Sequence, residues 1–392
     1  MDRARAAISA HAALNAFISV DTESQHDGPI LAVKDLVDVV GMVTTNGTLQ
    51  PRPRVAQTDA SIVAAFRTAG WGVVGKTNLH ELALGPTSGN PHFGAVGNPV
   101  DFTRIAGGSS GGSAAAVGMG MCDIAIGTDT GGSIRIPASL CGVAGWRPTG
   151  GTVGLDGVWP LSPTLDTVGP MARDVRTIAE AMVDIGLLGT EATHDAGAFS
   201  LAAPHSWIAG VDMEAEVERS WNRVGSSLPV IELPPMDRFI DVGLTVLYAE
   251  AATSNEDQLL NRAGTIGKDV RELLQRGRTT LAVDYLGAMR ERLRLQEILE
   301  RQLETVDAIL LPATATTAPL LGSDPILFRD ALTVFTRPFG VTGHPVVVLP
   351  APTSGLPVGM QLVGRQGSDA RLLAIARSLE QSWAAAQPNA RV

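Results

Sequence analysis

The chain has 392 residues, of which 45% are hydrophobic and 18% are charged, and its formal net charge is −10 at pH 7. This composition excludes a disordered chain, and the acidic balance argues against a nucleic-acid binder, which normally carries a basic patch. Two cysteines are too few for a disulfide scaffold, and no apolar run approaches the roughly 18 residues of a membrane span, so we expect a cytoplasmic enzyme.

The first part of the chain is predicted to alternate between helices and short strands. Met1 to Val20 is typical of an amphipathic helix rather than a signal peptide. Short β-branched runs at 31–33 and 37–40 favour strands on either side of Lys34. A helix is predicted from Thr58, its capping residue, to Gly70, and a buried strand follows at 71–74.

The later elements follow from the same hydrophobic periodicity. Helices are predicted at 113–121, 175–187 and 285–306, and strands at 124–126, 308–311, 346–349 and 360–363. The stretch 196–283 is more polar and less patterned. Intermingled helices and apolar strands, with no repeat and no linker, favour a single α/β domain over residues 1–392.

Glycine is concentrated between Gly107 and Gly151. Because glycine is unfavourable in regular structure, the backbone there must turn tightly or lie close to another group. We therefore look for functional residues in this segment first.

Two familiar motifs fit poorly. Residues 70–77 match the phosphate-binding pattern G-x-x-x-x-G-K-[ST], but a predicted helix precedes them and strand-like apolar residues fill the loop, so a helix–turn–strand unit is favoured. Residues 107–111 match the G-x-S-x-G nucleophile elbow. The polar residues before it are poorly strand-like, and nothing marks His194, His205 or His344 as its base. The elbow remains a weak alternative.

Thiol and metal chemistry are not favoured either. Cys141 lies in an apolar run, which is more typical of a small buried hydrophobe than of a nucleophile. No H-x-x-x-H or H-E-x-x-H pattern occurs, so no metal site is predicted.

Two serine-bearing glycine turns remain, at 107–113 and 127–137. A helix and a strand separate them, so their serines could face each other. Amides at Thr130, Gly131 and Gly132, beside the Ser133 hydroxyl, would suit an oxyanion hole. A pair of turns that serve packing alone is an equally good interpretation.

A serine without a histidine needs another base, and a lysine serves if burial keeps it neutral. Lys34, between Val33 and Asp35, is the best candidate. A structural ion pair between Lys34 and Asp35 or Asp38 fits the spacing as well.

These segments resemble the amidase signature family, serine hydrolases of amides with a Ser–Ser–Lys triad. The signature spans 107–149, and residues 32–35 resemble the segment that holds the catalytic lysine. Segments of similar family character lie at 75–81, 98–99, 160–163, 165–170, 342–345 and 359–364. The resemblance covers the whole chain and is weakest in its middle third.

The resemblance implies one large domain with a mixed central β-sheet sandwiched between α-helices, and no cofactor. It implies that neutral Lys34 takes a proton from Ser109, which takes one from Ser133, the residue that becomes acylated. A cis peptide bond is expected at Ser109.

Three further residues receive supporting roles from the resemblance. Asp129 and Arg135 would support the loop that carries the nucleophile, and Ser110 would donate a hydrogen bond to Ser109 or Lys34.

The chain departs from the family pattern in three places. Only 33 residues precede Lys34, and the segment 187–285 is shortened. Arg147 stands in Trp-Arg-Pro where Leu-Lys-Pro is commoner, which we interpret as a conservative packing change. Because the shortened segment often shapes the substrate pocket, specificity cannot be carried over, and a small neutral amide is our expectation. One arginine near the nucleophile, Arg135, does not indicate an acidic substrate.

We therefore predict an amidase that acts on a small-molecule amide. One alternative is the glutaminase-type A subunit of a tRNA-dependent amidotransferase, against which the shortened segments weigh. The other is a catalytically silent amidase-fold binding protein, against which the presence of Lys34, Ser109 and Ser133 weighs. The family often forms dimers, so we expect a homodimer, but the sequence does not indicate which surface forms the interface.

Overall fold

A ten-stranded mixed β-sheet forms the centre of the structure, a computed structural model that describes residues 1–49 and 54–385. The strands are Phe17–Val20 (β1), Ile30–Lys34 (β2), Val43–Thr44 (β3), Arg54–Val55 (β4), Gly72–Thr77 (β5), Gly89–Asn90 (β6), Gly94–Ala95 (β7), Ile124–Thr128 (β8), Ala144–Arg147 (β9), Val168–Ala172 (β10), Leu201–Ala202 (β11), Ala308–Pro312 (β12), Val346–Pro350 (β13) and Gly359–Val363 (β14).

The sheet order is β1-β5-β2-β8-β10-β9-β13-β14-β12-β11. Strands β5, β2 and β8 run parallel to one another, β11 runs parallel to β12, and the remaining neighbours in the sheet are antiparallel. Strands β3 and β4 form one small hairpin-like sheet, and β6 and β7 form another. The mixed central sheet confirms the predicted α/β class.

Helices flank the sheet. The α-helices are Asp2–Ala10 (α1), Ser61–Thr68 (α2), Gly111–Gly118 (α3), Arg135–Cys141 (α4), Val175–Asp184 (α5), His205–Ala209 (α6), Ala215–Val224 (α7), Met236–Ser254 (α8), Glu256–Asn261 (α9), Lys268–Gly277 (α10), Ala282–Gln302 (α11), Pro325–Thr333 (α12), Arg337–Thr342 (α13) and Asp369–Ala385 (α14). Short 3-10 helices are found at Ala12–Leu14, Glu81–Ala83, Thr190–Thr193 and Ala263–Thr265.

Strand β2 separates two hydrophobic cores. Leu31 and Val33 belong to a large core that includes Phe66 of α2, whereas Ile30 and Ala32 belong to a second core with the small residues of α3. This division follows from the alternation of side chains along a strand. Lys34 continues the series of Ile30 and Ala32, and the alternation therefore directs it toward the face that α3 covers.

Two predictions for the N-terminal part of the chain are wrong: one element is too long and the other is not formed. The helix predicted over Met1 to Val20 is only Asp2–Ala10, because Asn15 takes a left-handed conformation (φ 56°) and Phe17–Val20 pairs with β5 instead. The strand predicted at 37–40 is absent from the described structure, where Val37 makes only an isolated bridge to Val158.

Thr58 does not cap the following helix, which begins at Ser61 after Ala60. The Ala60 amide donates to the Asp38 carbonyl at 3.0 Å, and the Asp59 carboxylate accepts from the Val40 amide at 2.8 Å. These tertiary hydrogen bonds hold the preceding residues extended, so the helix starts later than the pattern predicts.

Residues 70–77 form a turn and a strand after α2, not a loop before a helix. Gly70 has a positive φ of 84° and Gly72–Thr77 is buried strand throughout. The helix–turn–strand interpretation is confirmed, and the phosphate-loop interpretation is excluded.

The less patterned stretch 196–283 holds five α-helices, α6 to α10. Helices α8 and α10 bury residues such as Val246 and Leu274 in the large core. Within the described ranges, no helix combines the length and the apolar character that a bilayer crossing needs.

Candidate active site

Three chain segments converge at one end of the parallel strands. Lys34 is the last residue of β2, Ser109 and Ser110 immediately precede α3, and Ser133 lies between β8 and α4. The Ser110 amide donates to the Ser133 carbonyl at 3.2 Å, so the two glycine turns are in direct contact. The structure thus brings together residues that are far apart in the sequence.

Lys34 is fully buried and contacts two hydroxyls. Its Nζ donates to Ser109 Oγ at 2.7 Å and to Thr128 Oγ1 at 2.8 Å. Burial lowers the pKa of Lys34 to about 7, although the negative charges of Asp129 and Asp166 act in the opposite direction. A lysine of this kind is partly neutral near pH 7 and can accept a proton.

The structural ion pairs that the sequence left open for Lys34 are formed by other residues. Asp35 pairs with Lys76 at 3.1 Å, with both side chains fully buried. Asp38 pairs with Arg54 at 2.5 Å. Lys34 is therefore free of a direct carboxylate partner among the residues that the structure describes.

Ser109 is fully buried and the Gly108–Ser109 peptide bond is cis, as the resemblance implies. Its carbonyl accepts from the His80 amide at 3.0 Å and from Ser88 Oγ at 3.2 Å. The predicted bond from Ser110 to Ser109 or Lys34 is wrong. Ser110 Oγ instead donates to the Thr128 carbonyl at 3.2 Å and accepts from the Thr128 amide at 3.3 Å, because its side chain faces the end of β8.

Ser133 is the most accessible of the three predicted triad residues. It is half-buried, and its hydroxyl makes no hydrogen bond to any residue that the structure describes. A cavity of about 60 Å³ opens in front of it. The apolar lining of this cavity, from here on the substrate cavity, includes Leu84, Pro86, Ile136, Leu161, Leu247 and Leu273.

Backbone amides of the turn before Ser133 differ in their availability. The Gly132 amide donates to Asp129 Oδ1 at 2.9 Å, so its predicted place in an oxyanion hole is wrong. Within the described ranges, no protein group accepts a hydrogen bond from the amides of Thr130, Gly131 or Ser133. Thr130 and Gly131 border the substrate cavity together with Ser133. These are the amides that could stabilise an oxyanion there.

The Asp129 carboxylate holds the turn in place through hydrogen bonds. Its buried carboxylate accepts from the amides of Gly132 and Ile134 and from Arg135 and Arg147, which approach to 2.8 Å and 3.0 Å. Burial would raise the pKa of Asp129, but the two guanidiniums hold it well below its ordinary value. Asp129 is therefore a permanent anion. Arg147 is a partner in this network, and our sequence interpretation of it as a packing change is wrong.

Asp166 is a second carboxylate close to the site. It accepts from Thr130 Oγ1 at 2.5 Å and from the amides of Leu161 and Ser162 at 2.9 Å. Burial raises the pKa of Asp166 to about 6, against these hydrogen bonds. Its charge also stabilises the protonated form of Lys34.

Sequence reasoning missed Thr128, Arg147 and Asp166. Strand alternation groups Thr128 with Ile124 and Ile126 of the large core, so the pattern gave no reason to place it against Lys34. Asp166 lies in the segment 165–170, which resembles the family. This resemblance was the only indication in the sequence that Asp166 lies near the site.

The competing nucleophile hypotheses find no support in the geometry. His205 contacts the Leu228 carbonyl, His344 lies 3.0 Å from Glu300, and His194 is exposed. Cys141 is buried against the Ala106 carbonyl, and burial raises the pKa of its thiol. In the part of the chain that the structure describes, no cluster of His, Cys, Asp and Glu could hold a metal ion.

Comparisons with known proteins give one consistent result. A family model described as Amidase matches residues 5–186 and 212–373. The A subunit of the glutamyl-tRNA(Gln) amidotransferase of Methanospirillum hungatei is 33% identical over 429 aligned residues, which cover 95% of this chain and 97% of the relative.

Solved structures agree with the sequence comparison. A crystal structure of an amidase is 35% identical, with a TM-score of 0.89 over 97% of this chain and 95% of the other. The A subunit of the glutamyl-tRNA(Gln) amidotransferase of Thermotoga maritima is 30% identical, with a TM-score of 0.83 over 97% of this chain and 90% of the other.

Proposed function

Because the chain belongs to the amidase family, we propose that it hydrolyses a carboxylic amide to an acid and ammonia or an amine through an acyl intermediate on Ser133. One observation carries the proposal: a fully buried lysine, with its pKa lowered to about 7, lies 2.7 Å from Ser109 Oγ beside the turn that bears Ser133. A buried amine in that state is suited to general-base catalysis near neutral pH.

The relay begins with neutral Lys34. Its Nζ accepts the proton of Ser109 Oγ as Ser109 Oγ accepts the proton of Ser133, and the Ser133 oxygen attacks the carbonyl carbon of the amide. The carbonyl π electrons move to oxygen and form a tetrahedral oxyanion. Because Lys34 and Ser109 are fully buried, the proton moves along a path that excludes bulk water.

Amides of Thr130, Gly131 and Ser133 are proposed to stabilise the oxyanion. Their N–H groups have no protein acceptor in the described ranges. Asp129 supports this arrangement because its carboxylate binds the neighbouring Gly132 and Ile134 amides and so holds the turn in place.

Collapse of the tetrahedral intermediate breaks the C–N bond and re-forms the carbonyl. The proton held by Lys34 returns through Ser109 to the departing nitrogen, which leaves as ammonia or an amine. Water then attacks the acyl ester by the same relay, releases the acid and restores the Ser133 hydroxyl. The residues involved need no cofactor.

A second candidate is favoured by the curated relatives, which are A subunits of glutamyl-tRNA(Gln) amidotransferases. In that role the same chemistry would release ammonia from glutamine, and the chain would require a partner protein. The shortened segments do not argue against it, because this chain covers 97% of the Methanospirillum relative. The amidase crystal structure, at 35% identity, supports a free-standing enzyme instead.

A silent binding protein is the least supported candidate. It would have no use for the combination of a buried Lys34, a contacting Ser109 and an accessible Ser133.

Ammonia release and active-site labelling test the proposal. A panel of aliphatic, aryl and amino-acid amides, glutamine included, is incubated with the wild type, with Ser133→Ala and with Ser206→Ala, which removes an exposed serine as a control. A fluorophosphonate probe is applied to the same three proteins. We expect turnover and labelling in the wild type and control, and neither in Ser133→Ala. Labelling that persists in Ser133→Ala would refute the assignment of the nucleophile.

The same panel separates the candidates. Turnover of several amides by the purified chain supports a free-standing amidase. Activity confined to glutamine, and dependent on a co-purified protein, supports the amidotransferase role. A folded wild type that neither turns over any amide nor reacts with the probe supports the silent protein.

A further inference from the structure

Two arginines share the substrate cavity with Ser133. Arg329 lies in α12 and Arg337 is the first residue of α13, and both line the cavity. Among the described residues, no aspartate or glutamate lines it. In a chain with a net charge of −10, this cavity is a local concentration of positive charge beside the nucleophile.

Arg337 is a nearly buried cation with little compensation. Its side chain is 11% exposed, and its guanidinium makes no hydrogen bond within the described ranges. Its one ion pair, with Asp330, spans 4.0 Å to a carboxylate that is 95% exposed. A long pair with a solvated carboxylate contributes little, because solvent screens it. Buried charges are normally paired and hydrogen-bonded.

The two fully buried arginines that the structure describes, Arg135 and Arg147, are compensated. Arg135 bonds to Asp129, to the Thr336 carbonyl at 2.6 Å and to Gln361. Arg147 bonds to Asp129 and to the carbonyls of Leu165 and Gly340. Arg337 has no comparable set of partners among the described residues, so its guanidinium is free to bind an anionic ligand.

Arg329 adds a second cation to the same space. Its Nε is buried without a hydrogen-bond partner in the described structure. Burial lowers the pKa of Arg337, Tyr248 and Asp330 act in the opposite direction, and the charge of Arg329 adds to the lowering. Unpartnered Nε atoms also occur on Arg147, Arg292 and Arg377, none of which lines the cavity, so position is what distinguishes Arg329.

Arg337 lies directly beside the turn that carries the nucleophile. A Cβ built on Gly131 would be 3.8 Å from Arg337 Cγ. The preceding residue, Thr336, donates from Oγ1 to the Gly131 carbonyl at 2.8 Å. A substrate whose carbonyl reaches the amides of this turn therefore has a cation within the length of a short carbon chain.

We propose that the substrate is an amide that carries a carboxylate on a short acyl chain, held by Arg337 and Arg329 while its methylene groups pack against Leu247 and Leu273. The half-amide of a dicarboxylic acid, such as succinamate or glutaramate, has this chemistry. Guanidinium groups suit it, because their planar donors match a carboxylate in pairs. This inference rests on the proposed function and replaces the sequence-based expectation of a neutral amide.

The cavity discriminates against free amino-acid amides. Glutamine carries an ammonium group next to its carboxylate, and that group requires an acceptor or an anion. No acidic side chain lines the cavity in the part of the chain described. The positive pair would repel the ammonium group, so glutaramate, which lacks it, is the better substrate.

A pair of matched substrates tests whether the enzyme recognises a carboxylate on the acyl chain. Ammonia release is measured for glutaramate and for pentanamide, which replaces the carboxylate with a methyl group, and glutamine is included. In the wild type we expect kcat/KM for glutaramate to exceed that for pentanamide by about tenfold to a hundredfold, the range for loss of a charge-assisted hydrogen bond. We expect glutamine to be no better than glutaramate. A ratio near one, or a large preference for glutamine, overturns the inference.

Matched variants test the arginines. In Arg337→Met we expect the glutaramate-to-pentanamide ratio to fall about tenfold or more. Arg294→Met, which removes an arginine that is 72% exposed, should leave the ratio unchanged. An unchanged ratio in Arg337→Met overturns the assignment.

A binding experiment separates this inference from the proposed function. The probe is glutarate, the dicarboxylate product, added to Ser133→Ala, in which turnover plays no part. We expect glutarate to raise the Tm of Ser133→Ala, since a ligand that binds only the folded state stabilises it, and to leave the Tm of the Ser133→Ala, Arg337→Met double variant unchanged. An equal shift in both proteins, or no shift in either, overturns the anion site. If instead no amide is hydrolysed but glutarate binds through Arg337, the site stands and the proposed function fails.

Discussion

The pH dependence of turnover follows from the state of Lys34. Burial lowers its pKa to about 7 from the ordinary value of 10.5, despite the opposing charges of Asp129 and Asp166. The proposed relay needs the neutral amine, so we expect activity to be lost as the pH falls through the folded pKa. The neutral fraction is about one-tenth at pH 6, one-half at pH 7 and nine-tenths at pH 8. We therefore expect kcat/KM to rise about tenfold between pH 6 and pH 8 and then to level off.

An ordinary lysine would behave differently. With a pKa of 10.5, its neutral fraction would still be below about one-hundredth at pH 8, and the rate would rise about tenfold for each pH unit up to pH 10. The shape of the profile thus reports the burial of Lys34 directly.

The assay is ammonia release at substrate concentrations far below KM, between pH 5 and pH 10, because kcat/KM reports ionisations of the free enzyme. The rate of fluorophosphonate labelling gives a readout that does not depend on the substrate. Lys34→Arg keeps a cation that does not lose its proton, and Lys34→Met removes the amine. We expect both variants to be nearly inactive over the whole range. A wild-type midpoint above pH 9, or a midpoint near 7 that persists in Lys34→Met, would refute the reasoning.

Three further variants probe the surroundings of Lys34. Asp166→Asn removes a charge that stabilises the protonated lysine, so the midpoint of the kcat/KM profile should move to lower pH by roughly half a unit to one unit; a shift to higher pH would contradict this. Thr128→Val removes an acceptor of Lys34 Nζ and should lower kcat/KM at pH 8 about tenfold, the value of one hydrogen bond, with recovery in Thr128→Ser. Asp129→Asn leaves Arg135 and Arg147 buried without their anion. Urea unfolding should therefore show a loss of about 3–5 kcal/mol in the free energy of unfolding. A loss below about 1 kcal/mol would show that the ion-pair network is not needed for stability.

The fold class and the segments of the site could be predicted from the sequence because both depend on local patterns of residues. The β-branched run at 31–33 and the glycine turns at 107–113 and 127–137 are short-range patterns, and the structure shows a strand over the first and brings the two turns together. The start of α2 depends instead on hydrogen bonds to Asp38 and Val40, some twenty residues away, and no local pattern encodes them.

Side-chain and amide partners in the site were less predictable for the same reason. Gly132 and Ser110 lie in the predicted turns, yet their hydrogen bonds go to Asp129 and Thr128 because of how the turns pack. The contact between the Gly131 carbonyl and Thr336 joins residues about two hundred positions apart. Such contacts follow from the sheet order, which the sequence did not reveal.

The residues that line the substrate cavity differ in origin. One part of the lining is Ser133 and its turn, which follows the interior strand β8, and Lys34 of the neighbouring strand β2 donates to Thr128 of β8. Other lining residues, Leu247 of α8 and Leu273 of α10, come from the segment with the weakest sequence pattern.

The residues proposed for the proton relay and those proposed to contact the acyl group therefore lie in separate stretches of the sequence. Substitutions in α8 and α10, or of the cavity arginines in α12 and α13, are expected to change which acyl groups are accepted, whereas the proposed proton relay lies in β2, β8 and the glycine turns. A change of substrate preference would then leave the proposed relay residues unaltered.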